Sequence, residues 1–388
     1  MFKKKLVLIF LLLSLILISG CWDMMDIEKR LFVMGVAIDK PNKEEVNRQR
    51  QVLEEPENFT PRYLITYLSP IPKAKIGEEG GGEESYFTRS TTAITLDEGA
   101  RQISTRMDKK LFFGQSKLVL FGEEILEDKI VVKEMIDYIQ RNQDYNWHIL
   151  VGVVQGKAQD ALNIKPKGSF GVVPYITGIM EGRQETSRVA DVTLKQFMVN
   201  LGDDGIVALP KVVVAPDEVK VEGAAILKDF TLLGYLSGLE GRSVMFLKGT
   251  IKGGSVVIRF KNEFIPYNIV NADVKKELKI VDGNLQLTYS IETEGQLNEG
   301  IYGRDFATDK NIKTIENAIE EEIVRDCNRV IKRLQKELKV DIIYGDKYIH
   351  NYHPKIWNGI KDNYLEVFQE MDIIVEADVK IRRTGVIK

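Results

Sequence analysis

The stretch VKKELKIVDGNLQLTYSIE, residues 274–292, decides the architecture of the second half of the chain. Apolar residues alternate with polar ones on both sides of the Asp282-Gly283 pair; they are Leu278, Ile280, Leu285, Leu287, Tyr289 and Ile291. Asp-Gly between two alternating runs is a strong signal for a β-hairpin with a two-residue turn. The stretch therefore predicts two long antiparallel strands that bury one face.

The segments that follow predict the layer that covers this face. Apolar residues recur every three or four positions from about 309 to 338, which indicates the longest helix of the chain; they are Ile312, Ile315, Ile319, Ile323, Cys327, Val330, Leu334 and Leu338. Because Cys327 belongs to this stripe, we interpret it as a small buried hydrophobic residue. Residues 371–385 alternate over one face and predict a closing strand of a one-sided antiparallel sheet.

The first half has a different pattern. Between residues 95 and 154, two amphipathic helices and two short apolar strands follow a pair of predicted strands at 31–39 and 63–68, which indicates a mixed α/β domain. We therefore predict an α+β protein: an N-terminal mixed α/β domain over residues 21–208 and a C-terminal domain over 209–388, with an antiparallel sheet packed against long helices. Charged and glycine-rich segments at 42–61 and 77–85 predict flexible loops.

Composition limits the class of protein. The chain has 388 residues, two cysteines, three histidines and a formal net charge of −3. A mildly acidic chain has no general attraction for nucleic acid, so we expect no nucleic-acid partner. Two cysteines, of which Cys327 lies in a helical stripe, do not indicate a disulfide framework.

The first 20 residues are typical of a secretory signal. Lys3-Lys4-Lys5 precede an apolar run over residues 6–18, which is short for a helix that spans a bilayer. The run ends on Ile18-Ser19-Gly20-Cys21, similar to the bacterial lipobox, in which the cysteine thiol receives a diacylglyceryl group and becomes the first mature residue. We predict that residues 1–20 are removed and that Cys21 is lipidated; the alternative is a plain signal or an uncleaved anchor with an incidental cysteine.

No constellation for catalysis or cofactor binding stands out. His350-x-x-His353 lacks the third ligand that a zinc site needs, so surface or helix-capping histidines are the simpler interpretation. Neither cysteine has the setting of a nucleophile. The prediction is a protein that is not an enzyme, with no catalytic residues, no metal and no cofactor.

Three stretches carry a resemblance to a known family. Residues 19–39, SGCWDMMDIEKRLFVMGVAID, match it at Cys21, Trp22, Asp23, Glu28, Gly35 and Asp39. Residues 221–249, VEGAAILKDFTLLGYLSGLEGRSVMFLKG, match at Glu222, Gly223, Ala225, Ile226, Lys228, Gly234, Tyr235 and Leu236. The closing segment, residues 353–388, is similar to a Pro-x-x-Trp motif followed by a helix and a strand. The chain resembles the C subunits of bacterial spore germinant receptors, the Ger(x)C lipoprotein family.

This resemblance implies a location and partners. Family members are lipid-anchored to the outer face of the spore's inner membrane, and they act with two integral-membrane subunits, A and B, in a complex that senses nutrients and triggers germination. A small-molecule germinant bound by the complex is a further expected partner. We therefore predict a subunit that works by protein–protein contact; the alternative is an extracytoplasmic lipoprotein that itself binds a small-molecule germinant between its domains.

Overall fold

The computed structural model describes residues 26–53, 60–71, 86–142, 145–182, 192–203, 205–260, 263–297 and 309–383. Within these ranges the strands form a large sheet, a smaller C-terminal sheet and a short parallel pair, β1 (Arg30–Phe32) with β5 (Lys110–Phe112). Helices pack against both of the larger sheets. The predicted α+β class, with a mixed α/β N-terminal domain, is confirmed.

The large sheet has eight strands within the described ranges. In spatial order they are β10 (Thr231–Leu236), β9 (Val219–Lys228), β8 (Ile206–Val214), β7 (Leu150–Val154), β6 (Leu118–Gly122), β2 (Gly35–Asp39), β3 (Tyr63–Pro70) and β4 (Tyr86–Ala93). The four central strands are parallel and the outer ones pair antiparallel. All residues of β2, β6 and β7 are buried, as expected for parallel strands with helices on both faces.

Residues 43–53 form a helix, α1 (Lys43–Leu53), where the sequence predicted a flexible loop over 42–61. The N–H of Glu45 donates to Asn42 Oδ1 at 2.9 Å, and the N–H of Asn42 donates to Glu45 Oε2 at 2.7 Å. Such reciprocal bonds cap the start of a helix, and the Asn-x-x-Glu spacing was the missed signal. The loop prediction was therefore wrong for 43–53, while residues 54–59 and the predicted loop at 77–85 lie outside the described residues.

Helices cover both faces of the large sheet. One face carries the three helices α2 (Leu96–Ser104), α3 (Lys129–Arg141) and α6 (Leu194–Asp203). The first two are the helices predicted between residues 95 and 154. The other face carries α4 (Ala158–Asn163) and α5 (Val172–Glu181). The sequence did not predict these two, because both are short and the segment between them contains proline and glycine.

The large sheet continues past the predicted domain boundary. Residues 208 and 209 lie inside β8, and β9 and β10 extend the sheet to Leu236. Helix α7 (Gly238–Lys248) then packs on the C-terminal sheet. Residues of both parts enter one buried cluster; those from the large sheet are Ile206, Ala224, Ile226 and Leu236. The two parts of the chain therefore share a hydrophobic core.

The hairpin predicted from residues 274–292 is confirmed. Strands β12 (Glu263–Val281) and β13 (Asn284–Leu297) pair antiparallel. The turn residues Asp282 and Gly283 have φ of 50° and 84°, the positive values that a type I′ turn requires. Ile280, however, is 62% exposed, because the neighbouring strand begins only opposite Gln286 and the hairpin tip reaches beyond it.

The C-terminal sheet places β11 (Ser255–Phe260) beside β12 and β14 (Asp372–Arg383) beside β13. Strand β14 runs parallel to β13, which differs from the antiparallel pairing expected for the closing strand. A chain that leaves β13 and returns through several helices can pair in parallel. These helices are α8 (Asp309–Arg333), α9 (Gly345–Tyr352), α10 (Pro354–Ile360) and α11 (Tyr364–Glu370).

Helix α8 lies across the C-terminal sheet as its periodicity predicted. The buried members of its stripe are Ile315, Ile319, Ile323, Cys327, Val330 and Leu334. The same helix covers the outer edge of β14, since Glu316 accepts from the N–H of Ile381 at 2.9 Å and Glu320 accepts from the N–H of Val379 at 3.1 Å. An edge whose N–H groups are already bonded does not recruit another strand.

Asp39, the last residue of β2, joins the large sheet to α4. Its carboxylate is buried and accepts from the N–H of Ala158 at 2.7 Å and the N–H of Gln159 at 2.8 Å. Burial raises the pKa of Asp39 to about 6, although both N–H groups and Lys157 favour the ionised form. Desolvation of the charge therefore outweighs its hydrogen bonds.

Asp39 makes stability depend on pH. Because its folded-state pKa of about 6 lies above the ordinary 3.8, the stabilisation is complete below pH 3.8 and is lost as the pH rises through 6. We expect the unfolding free energy of the native protein, relative to an Asp39→Asn variant, to fall by about 2 kcal/mol between pH 4 and 7. Urea titrations measure this difference, and a constant value across that range would contradict the prediction.

A buried ion pair fixes α7 to α8. Arg242 Nη2 lies 3.1 Å from Asp326 Oδ2, and the two side chains are only 6% and 10% exposed. Arg242 also donates from Nη1 to the carbonyl of Ser255 at the start of β11. One guanidinium thus holds together two helices and the first strand of the C-terminal sheet.

Removing one member of this pair leaves the other charge buried. We expect Arg242→Met to lower the unfolding free energy by about 3 kcal/mol or more. Arg101→Met is the matched control, because its pair with Asp97 is exposed (80% and 55%) and such pairs contribute less than about 1 kcal/mol. Equal stability losses in the two variants, measured by urea unfolding, would refute the assignment.

Candidate functional site

The predicted lipidation residue, Cys21, lies outside the described residues, as do Trp22 and Asp23. The description begins at Asp26, which precedes a short 3₁₀ turn over Ile27–Lys29 and then β1. Ile27 is 72% exposed. The chain therefore enters the folded body at β1 and β2, and β2 is one of the central strands of the large sheet.

The residues considered for catalysis or metal binding pack against other side chains of the fold. Cys327 is buried, its Sγ lies 3.9 Å from the carbonyl of Ser243, and burial raises the pKa of its thiol to about 12. His350 stacks on Trp357 with 5.4 Å between ring centres, and His353 contacts Tyr348 at 5.5 Å. Cys327 is therefore unsuited to act as a nucleophile.

Two further findings concern the described ranges as a whole. They contain no group of three or more histidine, cysteine or acidic residues placed to hold a metal ion. Nor does any helix in them combine the length and apolar composition that crossing a membrane requires.

The first part of the second family-like stretch, residues 221–236, lies at the junction between the two sheets. Gly223 in β9 has φ of 82°, and a Cβ there would lie 2.1 Å from the carbonyl oxygen of Leu236 in β10. Lys228, at the end of β9, donates from Nζ to the carbonyl of Lys339 in the C-terminal part at 3.4 Å. Position 223 thus requires a glycine, because the backbones of β9 and β10 approach closely there. Lys228 supplies a hydrogen bond from this stretch to the C-terminal part.

The start of α7 continues this junction. Ser237 Oγ accepts from the N–H of Glu240 at 3.3 Å, and Glu240 Oε2 accepts from the N–H of Ser237 at 2.7 Å, which completes a capping box. The other carboxylate oxygen of Glu240 accepts from Arg333 of α8 at 2.6 Å. Burial opposes ionisation, but the bonds from Ser237 and Arg333 prevail and lower the pKa of Glu240.

A cavity of about 230 Å³ lies at this junction. One wall comes from α6 and the ends of β8–β10, and the other from α7 and residues 341–347. Its apolar lining includes Ile206, Val244 and Met245, and its polar lining includes Gln196 and Asn200. A concave space with apolar walls and a few converging polar groups is the general form of a small-molecule site.

Two lysines, Lys248 and Lys347, line the cavity, and a third, Lys276, bonds the backbone of the turn that carries Tyr344. The Nζ atoms of Lys248 and Lys347 lie 4.1 and 4.5 Å from the centre of the Tyr344 ring. Lys276 Nζ donates to the carbonyls of Ile343 and Tyr344 at 2.9 and 3.2 Å. Burial lowers the pKa of Lys276 to about 8 and Lys248 acts in the same direction, against the opposing effect of nearby aspartates.

Two aspartates, Asp341 and Asp346, border the cavity, and Asp341 is used in internal hydrogen bonds. Asp341 accepts from the N–H of Ile343 at 2.8 Å, from the N–H of Asp346 at 2.9 Å and from the Tyr364 hydroxyl at 2.6 Å. These bonds fix the turn that carries Tyr344, whose φ of 62° is unusual for a bulky residue. Sequence reasoning missed this site, because Lys248, Lys276 and Tyr344 are far apart in the chain and form no motif.

The junction glycine provides a direct test of this geometry. We expect Gly223→Ala to destabilise the protein by clearly more than Gly168→Ala, which has nearly the same φ (80°) but no atom within 4 Å of the new methyl group. Gly168→Ala measures the backbone strain alone, about 1–2 kcal/mol. The additional loss in Gly223→Ala measures the clash with Leu236. Urea unfolding measures both variants, and equal losses would show that the close approach does not matter.

Comparisons with known proteins agree with this architecture. The family described as "Spore germination protein N-terminal domain" matches residues 23–214, and "Spore germination B3/ GerAC like, C-terminal" matches residues 222–385. Two relatives from Bacillus subtilis are the spore germination protein YndF, 26% identical over 100% of this chain and 98% of its own length, and spore germination protein B3, 24% identical over 99% and 98%.

A solved structure has the same fold. The crystal structure of the GerBC protein superposes with a TM-score of 0.60 at 22% sequence identity and covers 82% of this chain and 93% of its own. The two family matches together account for nearly all of the chain after residue 22. The chain therefore belongs to the Ger(x)C family of spore germination receptor C subunits.

Proposed function

We propose that this protein is a lipid-anchored subunit of a spore germinant receptor on the outer face of the spore's inner membrane. It acts there with the integral-membrane A and B subunits, by protein–protein contact and not by catalysis. The observation that carries the proposal is the combination of two matched family domains with the sequence Ile18-Ser19-Gly20-Cys21 directly before them.

A diacylglyceryl group on Cys21 is sufficient for stable attachment, because two acyl chains bind a bilayer firmly where one is marginal. Asp26, the first described residue, follows Cys21 by five positions, and five extended residues span about 18 Å at most. The β1 end of the body therefore stays close to the membrane surface. Confinement at the membrane raises the effective concentration of the subunit for its integral-membrane partners.

The side chains of the described ranges support a role by contact. Cys327 is buried beneath α7, His350 packs against the ring of Trp357, and His353 meets the ring of Tyr348 edge-on. Asp39 and Lys276, two of the ionisable groups with shifted pKa, hold backbone groups of the fold. These groups maintain the shape of the body, which is what a contact subunit needs.

Cys21→Ala should remove the lipid and strongly reduce nutrient-triggered germination while the body still folds. Mass spectrometry of the N-terminal peptide reports the diacylglyceryl group, and the loss of spore refractility reports germination. Cys327→Ala is the matched control, because it removes the other thiol without touching the anchor. Full germination of a Cys21→Ala strain whose protein is free of the membrane would refute the proposal.

A separate experiment tests the partners. Affinity purification of the full-length protein from detergent-solubilised spore membranes should recover two polytopic membrane proteins in constant ratio. Recovery of this protein alone, under conditions in which the membrane proteins stay folded, would contradict a receptor complex.

A further inference from the structure

Exposed apolar side chains lie at the end of the large sheet where the chain enters it. This entry end is the end at which β2, β6 and β7 begin. The segments before these strands are bonded side by side, since the N–H of Lys117 donates to the carbonyl of Met34 at 2.8 Å and the N–H of Leu150 donates to the carbonyl of Lys117 at 3.0 Å. The segment that precedes β7 therefore lies at the same end as β1 and the start of β2.

Trp147 and Val199 border an open apolar groove at the entry end, on the face of the sheet that α6 covers. The carbonyl of Trp147 accepts from the N–H of Lys195 at 3.1 Å, which joins the segment before β7 to the start of α6. Trp147 is 44% exposed and Val199 is 47% exposed. Together with Met198 they line a groove of about 750 Å³. An exposed apolar surface of this kind marks a site of contact with a protein or a membrane.

Phe170 lies at the entry end on the opposite face of the sheet, directly before α5. Its side chain is 93% exposed. A Cβ on the adjacent Gly171 would clash with the ring of Tyr86, and a Cβ on Gly35 would lie 2.7 Å from Val173 Cγ2 in α5. Because Tyr86 begins β4 and Gly35 begins β2, these contacts place the start of α5, and Phe170 before it, at the entry end.

The chain that precedes Asp26 indicates what covers this end. Cys21, the proposed point of lipid attachment, lies five positions before Asp26, and five extended residues span about 18 Å at most. Ile27, the next residue, is 72% exposed. The proposed anchor therefore brings the entry end, and not the opposite end of the sheet, to the bilayer.

The side chains at this end suit the surface of a bilayer. A tryptophan ring is apolar with one N–H donor, which is why tryptophan is enriched at the level of the lipid headgroups. Lys117 and Lys195 are exposed, and a lysine stem can lie along apolar groups while its ammonium group reaches the headgroups. The acids Asp26 and Glu28 lie near the chain entry, and Asp26 pairs with Lys29 at 3.4 Å. We therefore attribute the contact to apolar insertion and not to net charge.

We propose that the entry end of the large sheet docks on the lipid bilayer, with Trp147 and Val199 on one face of the sheet and Phe170 on the other inserted among the headgroups. This inference deepens the proposed function and rests on its lipid anchor, which holds the entry end at the membrane. Anchoring makes each insertion an intramolecular step, so contacts too weak to bind a free protein are sufficient to orient a tethered one. Insertion on both faces fixes the direction in which the body stands on the membrane.

Quenching of tryptophan fluorescence by brominated phosphatidylcholine tests this docking. The full-length protein, produced without lipid, is coupled through Cys21 to a maleimide phospholipid in the vesicles, and the buried thiol of Cys327 does not compete. The emission of Trp147 is the difference between a Trp22→Phe protein and a Trp22→Phe/Trp147→Phe protein. It should fall about twofold when the vesicle lipid is brominated, because a ring at the interface lies close to the bromine atoms.

A matched pair of reporters tests the second contact. In the Trp22→Phe/Trp147→Phe protein, Phe170→Trp should add emission that bromine quenches about twofold, whereas Ile130→Trp should add emission that bromine leaves unchanged. Ile130 is 66% exposed but lies in the first turn of α3, which begins beyond the far end of β6. The control therefore differs in position and not in solvent exposure. Thermal unfolding shows whether each variant is folded.

Unquenched Trp147 emission, or equal quenching of Phe170→Trp and Ile130→Trp, would overturn the inference. If Trp147→Phe fails to fold, the Phe170→Trp and Ile130→Trp reporters are compared in the Trp22→Phe protein instead. Because Cys21 is coupled chemically, the result does not depend on lipidation in the cell. Mass spectrometry of spore protein without a diacylglyceryl group on Cys21 would refute the anchor alone, so failure of the anchoring proposal and failure of this one are distinguishable.

Discussion

The ion pair between Arg242 and Asp326 is the constraint on which the arrangement of the two parts depends. It lies under α7, the helix that receives the chain from the large sheet and passes it to the C-terminal sheet. Because both charges are buried, loss of either one would leave the other unpaired in the interior. Arg242 also bonds the carbonyl of Ser255, so the helix cannot shift without exposing an unpaired group. Both ends of α7 are therefore held in place, with its capping box at β10 and Lys248 at the cavity.

The junction combines a packed hydrophobic core with a cavity. Both arise from the way in which β8–β10, α7 and the turn at 341–347 meet. Residues of β8–β10 join the C-terminal cluster, while the positive φ of Gly223 brings β9 against the carbonyl of Leu236. The close approach leaves little freedom between β10 and α7. On the adjacent side, the turn at Tyr344 is held by hydrogen bonds of Asp341 and Lys276 as well as by the buried side chains of Ile342 and Ile343. The cavity lies beside this fixed turn.

Local signals in the sequence predicted the elements whose conformation is determined locally. Asp282-Gly283 predicted the hairpin because the turn type depends on those two residues, and the α8 stripe predicted its buried face because the period is a property of the helix. The sequence could not predict that β14 runs parallel to β13. Alternation of apolar residues shows which face of a strand is buried and does not show the direction of the neighbouring strand. The sequence did not predict the cavity for a related reason, because Lys248 of α7 and Lys347 come close only when α7 packs against the turn at 341–347.

The N-terminal strands and the junction are connected through a single sheet. The chain enters the body at β1 and β2, and β2 is bonded through β6 and β7 to β8, which begins the strands of the junction. All residues of β2, β6 and β7 are buried between two helical layers, and close-packed interiors transmit displacement instead of absorbing it. With the proposed anchoring through Cys21, a body held at its N-terminal strand presents its junction, and the lysines beside it, at a fixed position relative to the point of attachment. In the proposed role by contact, that rigidity would transmit a displacement from one end of the sheet to the other.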